Sequence, residues 1–298
     1  MVLNVAVVGL GSMGYGMAQS LLRAGHRVAG ADVNATAVAR LVAEGGQAAS
    51  AEDTAPQADV LVVVVLNAAQ TEAVLFGAGG WAPRMREGAT IISCATVAPS
   101  FAKDMAARCA GLGLHYLDAP ISGGAAKAAA GKLSIMASGS QEAFAGARPA
   151  LDAMAETVFD LGSEPGAGSA MKAVNQLLAG VHIAAMGEAL TFGMTQGLEP
   201  GRIVEVISRC AGTSWMFENR APHVVDGDYT PRSAINIWPK DLGIVLGIAA
   251  EARFGAPLTA AALQQFMAAA GSGLGGEDDA AVAKVYARNA GLTLPGGA

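Results

Sequence analysis

The 298-residue chain predicts an α/β fold with two parts: a doubly wound N-terminal domain, then an all-α C-terminal domain reached through a long interdomain helix. Three observations predict it. A strand, a glycine turn, a helix, a second strand and an acid open the chain in that order. Strand-like apolar runs alternate with helical stretches as far as Gly162. From Pro165 onward the strand pattern stops, and long Ala/Leu/Met/Ile-rich stretches follow. The expected division is residues 1–164 and 165–298, with its boundary in the stretch GSEPGAG, Gly162–Gly168.

Val5–Val8 (VAVV) is a continuous β-branched and alanine run, the pattern of a strand buried on both faces. It ends in GLGSMG, Gly9–Gly14. Tyr15–Gly25 has helical spacing and a terminal glycine. A second strand, His26–Asp32, brings Asp32 18 residues past Gly14. Ala58–Leu66 reads as a strand, and the residues from Asn67 as a loop and short helix. Ala89–Cys94 reads as a strand leading into CATVAPS, and Leu114–Asp118 as a strand entering APISGG. Lys132–Gly139 and Thr157–Gly162 are expected as the last two strands of a mostly parallel sheet with helices on both faces.

GLGSMG fits G-x-G-x-x-G, and each residue has a task. Gly9 permits the tight turn, Gly11 lets backbone approach a pyrophosphate, and Gly14 lets helix pack on strand. Leu10, Ser12 and Met13 complete the turn, and the helix start offers N–H groups to phosphate. The motif alone also describes a glycine turn that binds nothing. The complete unit, ending in an acid that can accept both ribose hydroxyls, specifies a Rossmann dinucleotide site. A carboxylate at Asp32 repels a 2′-phosphate, and no arginine follows before Arg40, so the expected cofactor is NAD rather than NADP. In such sheets ligands sit beyond the carboxyl ends of the strands. Leu66–Asn67, Thr96 and Ser122–Gly124 all leave that edge. Thr96 has a hydroxyl for ribose or nicotinamide, or else caps the helix after Pro99.

Composition narrows the function. The net charge of −6, with basic residues scattered, argues against a nucleic-acid partner. Cys94, Cys109 and Cys210 are far apart and odd in number, which points to a reducing compartment. With neither C-x-x-C nor H-x-x-x-H and four dispersed histidines, no protein metal site is expected. The N-terminus does not read as a secretory signal. A mean hydropathy of +0.40 raises the question of a membrane. The apolar runs are short or interrupted, and none reads as a clean span of about 20 residues. The expectation is a soluble cytoplasmic protein without membrane association.

In the second half, helices are expected over Gly168–Gln196, Pro200–Cys210, Ser214–Val225, Lys240–Phe254, Pro257–Ala270 and Asp278–Ala290. The first carries Lys172 among alanines, leucines and valines and links the two parts, where a cleft is expected. An ammonium there is costly to bury unless paired. Lys172 and Asn175, three positions apart, share a helix face, and Gly168 one turn earlier leaves room for a ligand or backbone. The stretch has only one other charge, Glu188, so a fully solvated face is poorly supported. Lys240, followed by Asp241, reads by itself as a surface ion pair. Lys127 and Lys132 read as solvated, His182 as a satisfied core histidine, and His223 and Asp226 as too isolated for a relay.

Over essentially its full length the chain resembles the β-hydroxyacid dehydrogenases, the group that includes 3-hydroxyisobutyrate and 6-phosphogluconate dehydrogenases. The matching stretches are GLGSMG (Gly9–Gly14), DAPISGGAAKAAAGKLSIMASG (Asp118–Gly139), GAGSAMKAVNQ (Gly166–Gln176) and WPKDLGIV (Trp238–Val245). NAAQTEAVLFG, CATV, the lysine in SGGAAKAA and DGDYTPRSAI look most like the branch containing L-threonate dehydrogenase.

By position, Lys172 matches the family's catalytic lysine and Asn175 the asparagine that holds the reacting hydroxyl. Ser122, Gly123 and Gly124 match the turn that binds the substrate carboxylate, Thr96 a cofactor contact, and Lys240 a lysine at the cofactor and substrate cleft. Many members have a second asparagine where this chain has Gln176. Imine-reducing relatives lack the lysine, so its presence argues for alcohol chemistry. The resemblance implies NAD-dependent oxidation of a small anionic hydroxy acid by a homodimer or homotetramer: L-threonate to its 2-oxo acid. The alternatives are 3-hydroxyisobutyrate or tartronate semialdehyde (2-hydroxy-3-oxopropionate) chemistry. A non-catalytic NAD-binding sensor is the reading of a different class, and the Lys172–Asn175 pair weighs against it.

Overall fold

The computed structural model describes residues 1–296, so the last two positions of the expected second domain, 297 and 298, lie outside the described residues. The chain divides into two compact units, one ending at Lys172 and the other beginning at Ala173.

In the first unit six strands make a parallel sheet. They are β1 (Asn4–Val8), β2 (Arg27–Ala31), β3 (Gln47–Ala48), β4 (Val60–Val63), β5 (Thr90–Ser93) and β6 (His115–Asp118). Their connections run through α1 (Gly14–Arg23), α2 (Ala35–Ala43), the single turn α3 (Ala51–Thr54), α4 (Ala68–Phe76) and α5 (Pro99–Ala110). The spatial order is β3-β2-β1-β4-β5-β6. Chain direction across the sheet therefore reverses between β1 and β4, which opens a crevice at their carboxyl ends.

Successive residues of these strands point to opposite faces, and both faces are covered. Val5, Val7, Val60, Val62 and Ile92 pack in one layer with Met17 and Leu21 of α1. Ala6, Val8, Leu61, Val63 and Ile91 pack in the other with Leu75 of α4 and Met105 of α5. Double coverage is why the strands read as unbroken apolar runs rather than as alternation.

The remaining strands form a separate three-stranded sheet, β7 (Ile121–Ser122), β8 (Leu133–Ala137) and β9 (Ala155–Asp160), with α6 (Gly124–Ala130) and α7 (Gln141–Met154) between them. The runs at Lys132–Gly139 and Thr157–Gly162, expected at the end of the parallel sheet, belong here instead. The chain reverses after β6: Asp118 bridges antiparallel to Ser138, and β7 pairs antiparallel with β8. A parallel ladder cannot be continued in that register.

The helix α8 (Ala167–Thr195) runs from the first unit into the second. The second unit continues with α9 (Pro200–Ile207), α10 (Trp215–Asp226), α11 (Ile237–Glu251), α12 (Pro257–Ala269) and α13 (Ala283–Asn289). Its core gathers Ile183, Leu190, Phe217, Leu242 and Phe266, and Trp238 stacks on Phe266 with ring centroids 5.4 Å apart. Asp278 and Asp279, both fully buried, tie the chain before α13 into this core. Asp278 pairs with His223 Nδ1 at 2.8 Å, while Asp279 accepts from Trp238 Nε1 at 3.0 Å and pairs with Arg220. His223 is thus matched to an acid 55 positions away rather than to Asp226. His182 is only half-buried.

Among the described residues, α8 is the one helix long and apolar enough to cross a membrane by length and composition, with half of its most apolar window buried in the fold. The sequence expectation of no such span gives way here, because scattered polar residues barely lower the mean over so long a helix. Those polar residues are what a core helix needs for internal hydrogen bonds: Lys172 and Gln176 are buried and bonded within the protein.

Candidate active site

At the switch point the glycine turn is tight against the protein and open outward. Gly9 has φ +98°, and a Cβ there would lie 2.1 Å from Val64 O. A Cβ on Gly14 would lie 1.9 Å from Gly9 O, whereas one on Gly11 would meet nothing within 4 Å. The space beyond is a cavity of about 450 Å³ whose lining includes Leu10, Gly11, Ser12, Tyr15, Asn34 and Arg40. No side chain caps α1; Tyr15 N already donates to Gly11 O at 3.0 Å, and the opening of the helix at Gly14 faces an outside acceptor. Asp32 joins the turn to the next helix: Oδ2 accepts from Leu10 N at 2.6 Å and Oδ1 from Asn34 N at 2.7 Å. Each oxygen keeps a lone pair for a ribose hydroxyl. The open backbone at Gly11, the uncapped helix and the acid together fit a dinucleotide.

The other edge residues differ in what occupies them. Leu66 is exposed, and its N–H donates to Gln70 Oε1 at 2.8 Å. Asn67 caps α4, accepting from Gln70 N at 2.9 Å. Thr96 is half-buried and caps nothing: the residue before α5 is Ala98, with no side-chain cap. The capping role considered for Thr96 is therefore excluded.

Lys172 is 8% exposed, and its Nζ donates to Ile121 O at 2.8 Å, the carbonyl preceding Ser122. The structure thus brings the lysine to the Ser122–Gly124 turn, where Gly123 (φ +135°) and Gly124 (φ +77°) hold conformations suited to glycine. The helix is seated by a residue for which no role was read from the sequence. Asp118, 1% exposed at the end of β6, accepts from Gly166 N at 3.0 Å, Ser169 N at 2.8 Å and Ser169 Oγ at 2.7 Å. Ser138 Oγ accepts from Gly168 N at 3.0 Å. A Cβ on Gly168 would lie 2.5 Å from both Asp118 O and Met136 O, so only glycine lets the helix start here. Burial raises the Asp118 pKa above the ordinary carboxylate range, opposed by the hydrogen bonds from Ser169 and Gly166. These bonds tie residues 166–172 to the α/β unit, and the unit boundary accordingly falls inside α8 rather than before it. An acid closing a strand, facing a G-x-G-S helix start, was the available signal.

Within the helical unit, Asn175 donates through Nδ2 to Gln176 Oε1 at 2.9 Å, and Gln176 donates through Nε2 to Asp241 Oδ2. Lys240 Nζ lies 2.6 Å from Asp241 Oδ1, forming an ion pair. Lys240 is therefore not the exposed ion pair its neighbourhood suggested: its partner is 2% exposed.

A profile for the NAD binding domain of 6-phosphogluconate dehydrogenase matches residues 4–162. One for the NAD-binding of NADP-dependent 3-hydroxyisobutyrate dehydrogenase matches residues 166–286. An L-threonate dehydrogenase of Cupriavidus necator is 50% identical over 294 residues, 98% of each chain. The chain belongs to the β-hydroxyacid dehydrogenase family. A relative from Escherichia coli O6:H1, also named L-threonate dehydrogenase, is 48% identical over 98% of this chain and 97% of its own. The solved structure of a 3-hydroxyisobutyrate dehydrogenase from Salmonella typhimurium aligns with a TM-score of 0.90 at 49% identity, covering 95% of this chain and 99% of that one. This β-hydroxyacid dehydrogenase is an NAD(P)-dependent oxidoreductase for a small acid.

Proposed function

We propose that the chain oxidises L-threonate to its 2-oxo acid with NAD as acceptor, Lys172 serving as general base and Asn175 orienting the reacting hydroxyl. The observation that carries this reading is the buried Lys172 amine held at the Ser122–Gly124 turn by Ile121 O, 2.8 Å away. NAD, when bound at the glycine turn and Asp32, would supply the acceptor for the hydride on the carbon that bears the hydroxyl.

The protein's residues do the rest. Gly9 and Leu10 shape the turn, and the backbone N–H groups of Gly11, Ser12, Met13 and Gly14 hold the pyrophosphate at the start of α1. Asp32 accepts from the ribose and disfavours a 2′-phosphate, which selects NAD over NADP. Leu66, Asn67, Thr96 and Lys240 contact the cofactor. The Ser122 hydroxyl and the N–H groups of Gly123 and Gly124 hold the substrate carboxylate by charge-assisted hydrogen bonds. Ile121 O aims the amine, and Lys172 removes the hydroxyl proton, returning it when the reaction runs backward.

Residues 1–164 then form the nucleotide part, and 165–298 the substrate and oligomerisation part of a cytoplasmic homodimer or homotetramer. The substrate is taken from the relatives named L-threonate dehydrogenase. A second reading, 3-hydroxyisobutyrate, is favoured by the name of the similar solved structure. The test is NADH formation on L-threonate, D-glycerate and 3-hydroxyisobutyrate, with NADP in parallel. L-Threonate with NAD should give the highest kcat/KM. A higher value on 3-hydroxyisobutyrate would replace the substrate, and NAD binding without turnover on any hydroxy acid would favour a sensor.

A further inference from the structure

The polar side chains Asn175, Gln176, Asp241 and Lys240 form one chain inside the helical unit, and its hydrogen-bonding direction is set from one end. Asp241 is buried on α11 and faces the Lys240 ammonium, so its carboxylate presents acceptors only. The Gln176 amide must therefore turn its nitrogen to Asp241, as it does, and its oxygen to Asn175. Asn175 must in turn direct Nδ2 at Gln176. That leaves Asn175 Oδ1, which takes no part in this chain of side chains. An amide that rotates freely could offer either edge; this one is held to one orientation through three side chains.

We propose that this chain fixes Asn175 Oδ1 as an acceptor for a second substrate hydroxyl, next to the one oxidised, and so selects 2,3-dihydroxy acids. The inference rests on the hydroxy-acid reading above and deepens it. The reacting hydroxyl has a single proton, which Lys172 removes, so that hydroxyl cannot also donate to Asn175. It can only accept, from the second hydrogen of Nδ2. Oδ1 beside it then meets the proton of a neighbouring hydroxyl, and the amide edge matches a vicinal diol. Gln176 acts through Asn175 and is a positioning residue. An asparagine at 176 would be one methylene shorter and would not span from Asn175 to Asp241.

The test measures kcat and KM with NAD for L-threonate and for 2,4-dihydroxybutanoate of the same C2 configuration, which lacks only the C3 hydroxyl. Wild type should prefer L-threonate by about 10- to 100-fold, the span of one hydrogen bond to a buried polar group. Gln176→Leu and the isosteric Asp241→Asn should each reduce that preference at least about fivefold, most of the change appearing in KM for L-threonate. A merely structural role would lower kcat/KM for both acids equally and keep their ratio. A constant ratio in a folded variant, or a wild-type preference below about threefold, overturns the proposal whatever the other measurements give. A wild type inactive on both acids yet binding NAD removes the L-threonate reading, and this inference with it.

Discussion

Replacing Asp118 with alanine removes the acceptor from four buried donors: Gly166 N, Ser169 N, Ser169 Oγ and Ser138 Oγ, at 3.0, 2.8, 2.7 and 3.5 Å. A buried donor left without an acceptor costs about 1–3 kcal/mol. Against that stands the desolvation of the carboxylate, the first cause of its raised pKa, which alanine relieves. The expected net loss is about 3–5 kcal/mol, at the upper end for single substitutions. Asparagine should behave differently. Its amide oxygen can stand at the Oδ2 position and keep both backbone donors, while its NH2 donates to Ser169 Oγ, a hydroxyl that rotates to accept. Asp118→Asn should therefore cost less than about 1 kcal/mol at neutral pH.

The pH dependence has a definite sign. A carboxylate whose folded pKa is raised favours folding in its protonated form. Its contribution is full below the unfolded value and is lost as pH climbs through the folded one, so the asparagine variant gains on wild type from acid toward neutral pH. Urea unfolding gives the free energies. Hydrogen exchange at the Gly166 and Ser169 amides localises the loss to the first turn of α8. An alanine variant within about 1 kcal/mol of wild type, or an asparagine variant as damaged as alanine, would refute the hydrogen-bond account.

Lys172→Ala should retain NAD binding, followed by fluorescence titration, while kcat falls about 10²- to 10⁴-fold; unchanged turnover would remove Lys172 from the chemistry. Thr96→Val should leave the melting temperature in place, because Thr96 caps no helix, yet raise KM for NAD; an unchanged KM would strike Thr96 from the cofactor contacts. Burial pushes the thiols of Cys94 and Cys109 up to about 12, whereas Cys210 is exposed. Iodoacetamide at pH 8 should therefore label the folded chain once, at Cys210, as read by mass spectrometry, because the thiolate is the nucleophile.

The nucleotide half was legible because its signals are local. The turn Gly9–Gly14, the run Val5–Val8 and the acid Asp32 lie within one βαβ stretch, and residue type and spacing carry the geometry directly. The long helix was legible from its composition; spacing put Lys172 and Asn175 on one face of it, while their roles came only from the family resemblance. The two-residue strands β3 and β7 were not, since so short a segment has no period to detect. The second sheet was misread for a related reason: β8 is as apolar as a strand of the first sheet, and only the reversal after Asp118 decides its partner.

Sequence alone determined the α/β-then-α plan and the dinucleotide turn, because chain neighbours encode both of them. Folding decided which partners hold those groups still. Asp118 meets Ser169 across 51 positions, and Gln176 meets Asp241 across 65. No propensity or periodicity links residues so far apart. Once such groups are buried together, each donor must find an acceptor, and that requirement orients the side chains at the site.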